Sequence, residues 1–356
     1  MDRKNKVLNF KNQEFHIGID THKNSWKVTI RSQIELKTYS ANPSAEELSQ
    51  YLRNNYPGGK YLSVYEAGFC GYRAHRRLEE LGIKNIVVAP NEIPTNQKEK
   101  SYKTDSVDSR KLARELENGS IKGIYIPGQL QQEFRSLVRL RYQLMKSSVR
   151  LKNQIKSYLN FYGHQIPENY QLKHWSGTFL EHLRSLRFEY PIGKEQMEIY
   201  LKAYIENRRL IAETIKKIRS YSREYGFIED IELLMSVPGI GFITAATLYS
   251  ELMDINRFKK LDKLASYVGL TPAVYSTGEK RSILGLKMQH NKYLRNILVE
   301  AAWIAVRKDP ALTASFNEYL RRMSKQEAIV RIAKKLLNRI RYVWKNKKEY
   351  VFSVIE

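Results

Sequence analysis

Between Glu14 and Gly119 the apolar pattern changes period several times, and the order of those changes admits few folds. Glu14 to Asp20 (EFHIGID) alternates as a strand, Trp26 to Ile30 alternates again as its hairpin partner, and Ile34 to Tyr39 supplies a third strand. Ser44 caps a helix reaching about Asn54, and Pro57-Gly58-Gly59 ends it. Tyr61 to Tyr65 reads as a buried strand that delivers Glu66 at its carboxyl end. A helix from about Tyr72 to Leu81, a strand from Asn85 to Ala89 and a loop with Pro90 and Pro94 come next. The last element opens at Thr104, a good N-cap, with Val107, Leu112, Ala113 and Leu116 at helical spacing up to Gly119. The order βββαβαβα requires an α/β sheet of mixed strand direction.

That order is the one found in ribonuclease-H-like domains. On its last helix Asp105 and Asp108 sit at i and i+3, with Cβ atoms roughly 5–6 Å apart. Two like charges that close repel. The helix macrodipole favours negative charge at that end, but a divalent cation neutralises the pair far better. Asp20 ends the central first strand and Glu66 the fourth, so four carboxylates from distant parts of the chain are expected beside one sheet edge. Together they would hold two divalent ions roughly 3.5–4 Å apart, one activating the attacking oxygen and one stabilising the leaving oxygen of a phosphodiester. An all-carboxylate set suits Mg²⁺, with Mn²⁺ as the other ion it accepts. Each acid alone has a plainer reading: Asp20 as a turn cap, Glu66 as the partner of Lys103 or Arg110, and Asp105 and Asp108 as a solvated first turn.

Composition narrows the partner. The chain has 356 residues, enough for two or three domains, and 61 Lys+Arg against 37 Asp+Glu give a net charge of +24, so a polyanion is expected. Apolar content of 42% argues for folded basic domains rather than a disordered basic tail. The single cysteine, Cys70, excludes an internal disulfide framework and a cysteine-based zinc site, and it suits a reducing cytoplasm. There is no secretory signal and no apolar run long enough for a bilayer, so no membrane role is expected.

Residues 128–225 read as helical and basic. From Phe134 to Asn160 there are seven Lys/Arg and no acid, while Leu137, Leu140, Leu144, Leu151, Ile155 and Leu159 form an interrupted apolar stripe. The stripe by itself indicates core packing; the absence of acids asks for phosphates or an acidic partner helix. Tyr158, Tyr162, Tyr170, Phe161 and Trp175 offer rings that either stack on unpaired bases or pack inward. Farther on, Leu233 to Ala246 spells a helix, a tight Pro238-Gly239-Ile240-Gly241 turn and a second helix. In this helix-hairpin-helix pattern Gly239 and Gly241 permit a sharp turn, and the amides opening the second helix can meet a phosphate; the alternative is a hairpin used only for packing. The carboxyl end from Arg321 to Lys348 carries eleven Lys/Arg and one acid, Glu327, with Ile329, Ile332, Leu336, Ile340 and Val343 along one face. A docked helix is expected there, its other face turned to nucleic acid.

Three blocks carry a family resemblance: GIDTHK around Asp20, VYEAGFCGYRAHRRLEELGIKNIVVAPNEIP around Glu66, and KTDSVDSRKLAREL around Asp105 and Asp108. They resemble the N-terminal domain of the DEDD insertion-sequence transposases of the insertion sequence one-ten type, whose members are similar there to RuvC junction resolvases. With a gap in the central third, the resemblance extends to near residue 305. It implies a metal-binding quartet of Asp20, Glu66, Asp105 and Asp108, and a coiled-coil segment for self-association in the central region. It also implies a serine nucleophile in the loop Tyr267 to Gly278, where Ser276 precedes Thr277-Gly278. From spacing alone Ser276 is an ordinary turn residue. Lys280, Arg281, Lys287, Lys292 and Arg295 surround it with positive charge suited to a phosphodiester, and the resemblance gives it the attack on the scissile phosphate. The chain departs from the pattern at Thr277, where many members have a second serine, and in the stretch Lys287 to Lys292, which lacks a glycine often present before the Leu294-Arg295 pair. Thr277 and Ser282 are the weaker rivals for the nucleophile.

The expected organisation is a RuvC-like domain over 1–127, a basic helical or coiled-coil region over 128–225, and a largely helical transposase domain over 226–356. The expected activity is cleavage and exchange of donor and target DNA strands through phosphoserine links. The resemblance further implies a homodimer or homotetramer, guidance by a structured noncoding (bridge) RNA, and work at the nucleoid in a prokaryotic cytoplasm. Other classes stay open. A junction-resolving nuclease would use the same quartet with water as nucleophile. An actin-like phosphotransferase also begins with a Gly-Ile-Asp strand but needs phosphate loops that are absent here, and a nucleic-acid-binding protein with a dead site would cleave nothing.

Overall fold

The computed structural model describes residues 9–94, 104–167, 175–277, 280–286 and 289–352. They form two compact units, Met1–Ile126 and Pro127–Glu356.

The first unit is built on a five-stranded sheet of order β3-β2-β1-β4-β5. Its strands are β1 (Glu14–Thr21), β2 (Trp26–Arg31), β3 (Leu36–Ala41), β4 (Lys60–Glu66) and β5 (Lys84–Val88). β1 pairs antiparallel with β2 and parallel with β4, so it is central. The third strand begins at Leu36, two residues beyond the position expected from the sequence: Ile34 sits in the preceding turn, where the Ser32 hydroxyl accepts from the amides of Ile34 and Glu35, and is 61% exposed. Helices α1 (Ala45–Asn55), α2 (Arg73–Glu80) and α3 (Asp105–Glu117) complete the unit. Ile17, Ile19, Val28, Ile30 and Tyr65 fill the core between the sheet and α1 and α2, while Val64, Val88, Leu112 and Leu116 form a second core with α3.

Gly18 decides how α3 lies on the sheet. A Cβ placed there would stand 2.1 Å from the Ser109 carbonyl oxygen and 2.5 Å from the Ala113 amide nitrogen, so the helix backbone rests on the strand where the strand has no side chain. Beside this contact the Thr29 and Ser109 hydroxyls are 2.9 Å apart and buried, tying the helix to β2 as well. The two aspartates of the first helical turn are thereby carried to the end of β1.

The second unit is mostly helical. α4 (Gln129–Phe161) and α6 (Pro191–Glu224) run antiparallel, at 33 and 34 residues, each about 50 Å long at 1.5 Å per residue. Asn207 donates to the Leu144 carbonyl at 3.0 Å and Tyr158 to the Gly193 carbonyl at 2.7 Å, which fixes their pairing. With α5 (Gly177–Ser185) they close a core of Ile155, Tyr158, Leu159, Trp175, Phe179, Met197 and Leu201. Of the expected apolar stripe, Ile155 and Leu159 are buried, but Leu140 is 43% exposed, because the packed face of α4 turns through Phe134 and Val138 instead. Tyr158 and Trp175 pack inward, and Phe161 and Tyr162 are exposed. Tyr170 lies outside the described residues.

The remaining elements are α7 (Ile228–Met235), α8 (Phe242–Leu252), α9 (Leu261–Val268), a hairpin of β6 (Pro272–Thr277) and β7 (Lys280–Leu286), and α10 (Leu294–Lys308), α11 (Pro310–Leu320) and α12 (Lys325–Asn346). α12 buries Ile329, Ile332, Leu336, Ile340 and Val343, as its periodicity requires. Its start is locked by a reciprocal pair: the Ser324 hydroxyl accepts from the Glu327 amide, and the Glu327 carboxylate accepts from the Ser324 amide.

Candidate active site

The acidic site forms where β1 ends and α3 begins. Thr104 caps α3, its hydroxyl accepting from the Val107 amide, so Asp105 and Asp108 occupy the first turn as expected. Asp20 projects from the last part of β1. The parallel register pairs Ile19 with Tyr65, so the next residues, Asp20 and Glu66, share a face of adjacent strands.

His22, two residues past Asp20, points its Nε2 at both groups: 3.2 Å from Asp20 Oδ2 and 3.4 Å from Asp105 Oδ2. Among the described residues the cluster whose donor atoms all lie within 4.8 Å of one another is Asp20, His22 and Asp105. Asp108 stands beside this trio and makes an ion pair with Lys111 at 3.3 Å; both are largely shielded from solvent. Glu66 reaches the same sheet edge through its strand but lies outside the trio.

The electrostatics follow from this crowding. Burial, and then the negative charges of Asp105 and Asp108, hold the Asp20 carboxyl above the usual carboxylate range, with His22 opposing the shift. A mouth of about 410 Å³ lined by His22, Ser25, Trp26, Lys27, Ser40, Thr104 and Asp105 opens beside the trio. Carboxylates and an imidazole converging on one point with an open side form a donor set that fits a divalent cation. Sequence reasoning alone does not single out His22. Its only signal there is its position two residues after a strand-ending aspartate.

Ser276 belongs to the second unit. The stretch expected as a loop is instead a strand: Ser276 lies in β6 and pairs with Arg281 of β7, and Thr277 pairs with Lys280. Two runs of strand-forming residues, VYST and RSIL, separated by a short polar stretch, carry that hairpin signal. The base of the hairpin is held by a buried ion pair. Arg139 of α4 donates from Nε and Nη2 to the two carboxylate oxygens of Glu251 in α8, at 2.6 and 2.8 Å, and the Glu251 side chain has no solvent exposure. Asn291, in the segment leaving the hairpin, donates to the same carboxylate at 2.7 Å, and its amide donates to the Tyr267 carbonyl at 2.9 Å. Gly269, at φ +88°, ends α9 just before β6; a Cβ there would meet His290 at 2.4 Å and Arg295 at 2.7 Å.

The expected nucleic-acid contacts are spread over both units. Arg110 is exposed and donates to the Thr38 hydroxyl at 3.1 Å. Lys292 lies over the Tyr293 ring, and burial pulls the Arg295 guanidinium below its ordinary range. Lys280 and Arg281 sit at the start of β7. Lys103 and Lys287 lie outside the described residues. In the turn between α7 and α8 the two glycines differ: Gly239, at φ +85°, abuts α10, where a Cβ would lie 2.3 Å from the Ala301 carbonyl oxygen, whereas Gly241 faces open space at the start of α8.

Two family models match the chain. Residues 17–164, which include the four carboxylates, match a DEDD transposase model of the IS110 type, and residues 231–317, which include Ser276, match the IS116/IS110/IS902 transposase family. The chain is 29% identical to the y4qE protein of Sinorhizobium fredii over 67% of its own length and 57% of that protein's. It is 24% identical to the transposase for insertion sequence element IS1111A of Coxiella burnetii, covering 76% of this chain and 73% of the other. It is 23% identical to the transposase for insertion sequence element IS1328 of Yersinia enterocolitica, covering 82% and 84%. With both family models matched in chain order and the acidic residues gathered at the end of β1, the chain belongs to the IS110-type DEDD transposases.

Proposed function

We propose that this transposase cuts and rejoins donor and target DNA through a covalent phosphoserine link, using Asp20, Glu66, Asp105 and Asp108 as a divalent-metal site on a ribonuclease-H-like domain and Ser276 as nucleophile. The observation that carries the reading is the convergence of Asp20 and Asp105, 85 residues apart in sequence, at one sheet edge, with Asp108 and Glu66 beside them. The strand order β3-β2-β1-β4-β5 supports the ribonuclease-H-like assignment.

Divalent ions bound there, Mg²⁺ or Mn²⁺, supply Lewis acidity for phosphodiester chemistry. The residues of the chain do the rest. The four carboxylates hold the ions at the sheet edge, and the lysines and arginines near the hairpin offset phosphate charge. The Ser276 hydroxyl attacks phosphorus and loses its proton to a base; the Ser276–phosphate bond forms as one phosphodiester P–O bond breaks, and the departing DNA oxygen takes up a proton. A second strand's hydroxyl then reverses the step. The net charge of +24 suits a structured guide RNA as well as DNA, and the long α4–α6 pair suits assembly of a dimer or tetramer.

The test uses purified protein with RNA transcribed from the flanking element, labelled donor and target DNA, and Mg²⁺, quenched under denaturing conditions. A protein–DNA adduct is expected from the wild type and from neither Ser276→Ala nor Asp105→Ala. Cleavage without an adduct that survives Ser276→Ala would replace this reading with a hydrolytic nuclease.

A further inference from the structure

We propose that His22 is a direct ligand of the divalent ion at this centre, so that Asp20, His22 and Asp105 bind it through a mixed nitrogen–oxygen set that prefers Mn²⁺ to Mg²⁺. The inference rests on the reading of the acidic cluster as a metal site and adds to it a donor outside the four carboxylates.

The geometry suits ligation as well as the hydrogen bond that His22 makes to Asp20. One imidazole nitrogen faces two carboxylate oxygens at 3.2 and 3.4 Å. A protonated nitrogen has one hydrogen to give, and a charge-assisted N–H···O bond closes to about 2.7–2.9 Å. Both contacts are longer than that, and they are nearly equal. Donor atoms about 2.1 Å from a common octahedral ion stand about 3.0 Å apart along an edge, close to the two spacings from His22, and all three donor atoms lie within 4.8 Å of one another. The position of His22 also favours ligation, since it follows β1 directly, its side chain is half exposed toward the open mouth, and the Gly18 contact brings α3 and Asp105 to it. Mg²⁺ favours oxygen donors and binds imidazole poorly, whereas transition ions accept both. An imidazole in the set therefore shifts selectivity toward Mn²⁺.

The experiment is pulsed electron paramagnetic resonance on the full chain loaded with Mn²⁺ alone, prepared with natural-abundance and with ¹⁵N-labelled histidine. Coupling to a histidine nitrogen is expected in the wild type and should vanish in His22→Gln. Calorimetric titration should show Mn²⁺ affinity falling about tenfold in that variant, with Mg²⁺ affinity changing much less. Mn²⁺ that binds without histidine coupling, or coupling that persists in His22→Gln, would overturn the role of His22 while leaving the metal centre intact. Asp105→Asn separates the two ideas: wild-type Mn²⁺ binding that this change does not reduce would remove the centre itself, and His22's role with it.

Discussion

At the scale of single residues, Asp20 and Gly18 make opposite contributions to the same site. Asp20 is held above the usual carboxylate range, so ionising it is harder in the folded than in the unfolded chain. The folded state binds the proton more tightly, and stability of the metal-free protein should therefore fall as pH rises from the ordinary carboxylate value through the raised one. Asp20→Asn removes that cost: its melting temperature in chelator should exceed that of the wild type, while added Mn²⁺, which under the proposed metal site should stabilise the wild type by binding only the folded form, should no longer raise it. Gly18 works by absence. Any side chain there meets the backbone of α3, so Gly18→Ala should cost about 2–3 kcal/mol in urea denaturation and weaken Mn²⁺ binding by displacing Asp105.

Among elements, the pairing of α4 with α8 rests on charge in an apolar setting. Arg139 and Glu251 satisfy one another bidentately, and Asn291 takes a share of the same carboxylate. Removing one partner leaves a buried charge uncompensated, so Arg139→Ala should destabilise the second unit by about 3–5 kcal/mol, measured by chemical denaturation. Glu251→Gln, which keeps shape and leaves the guanidinium partly exposed, should cost less. The same network anchors the segments that enter and leave the β6–β7 hairpin, through Tyr267 and Asn291. The hairpin also shows why a strand can read as a loop in sequence. Gly278 and neighbouring polar residues signal a turn, and the strand pairing of Ser276 with Arg281 emerges only when both flanking runs are read together.

For the whole molecule, charge is the dominant property. A net +24 over 356 residues should make binding to non-specific duplex DNA steeply salt-dependent, with affinity falling about 10³-fold or more between 50 and 200 mM salt in a filter-binding or anisotropy titration. A slope near zero would mean that the positive charge is spent within the protein. No helix among the described residues is long and apolar enough to cross a membrane.

The sequence by itself determined the local elements of the first unit, because alternation in Phe15, Ile17 and Ile19 and helical spacing in Leu112 and Leu116 are set by which face must be buried. It also determined that Asp105 and Asp108 open a helix, since Thr104 caps it. Only the tertiary structure decided that His22 meets Asp105 across 83 residues of chain, because that meeting depends on α3 settling onto Gly18, a contact with no periodic trace in sequence. It likewise decided which face of α4 is buried and that Arg139 meets Glu251, because long-range pairing is fixed by packing between elements rather than by propensity within them.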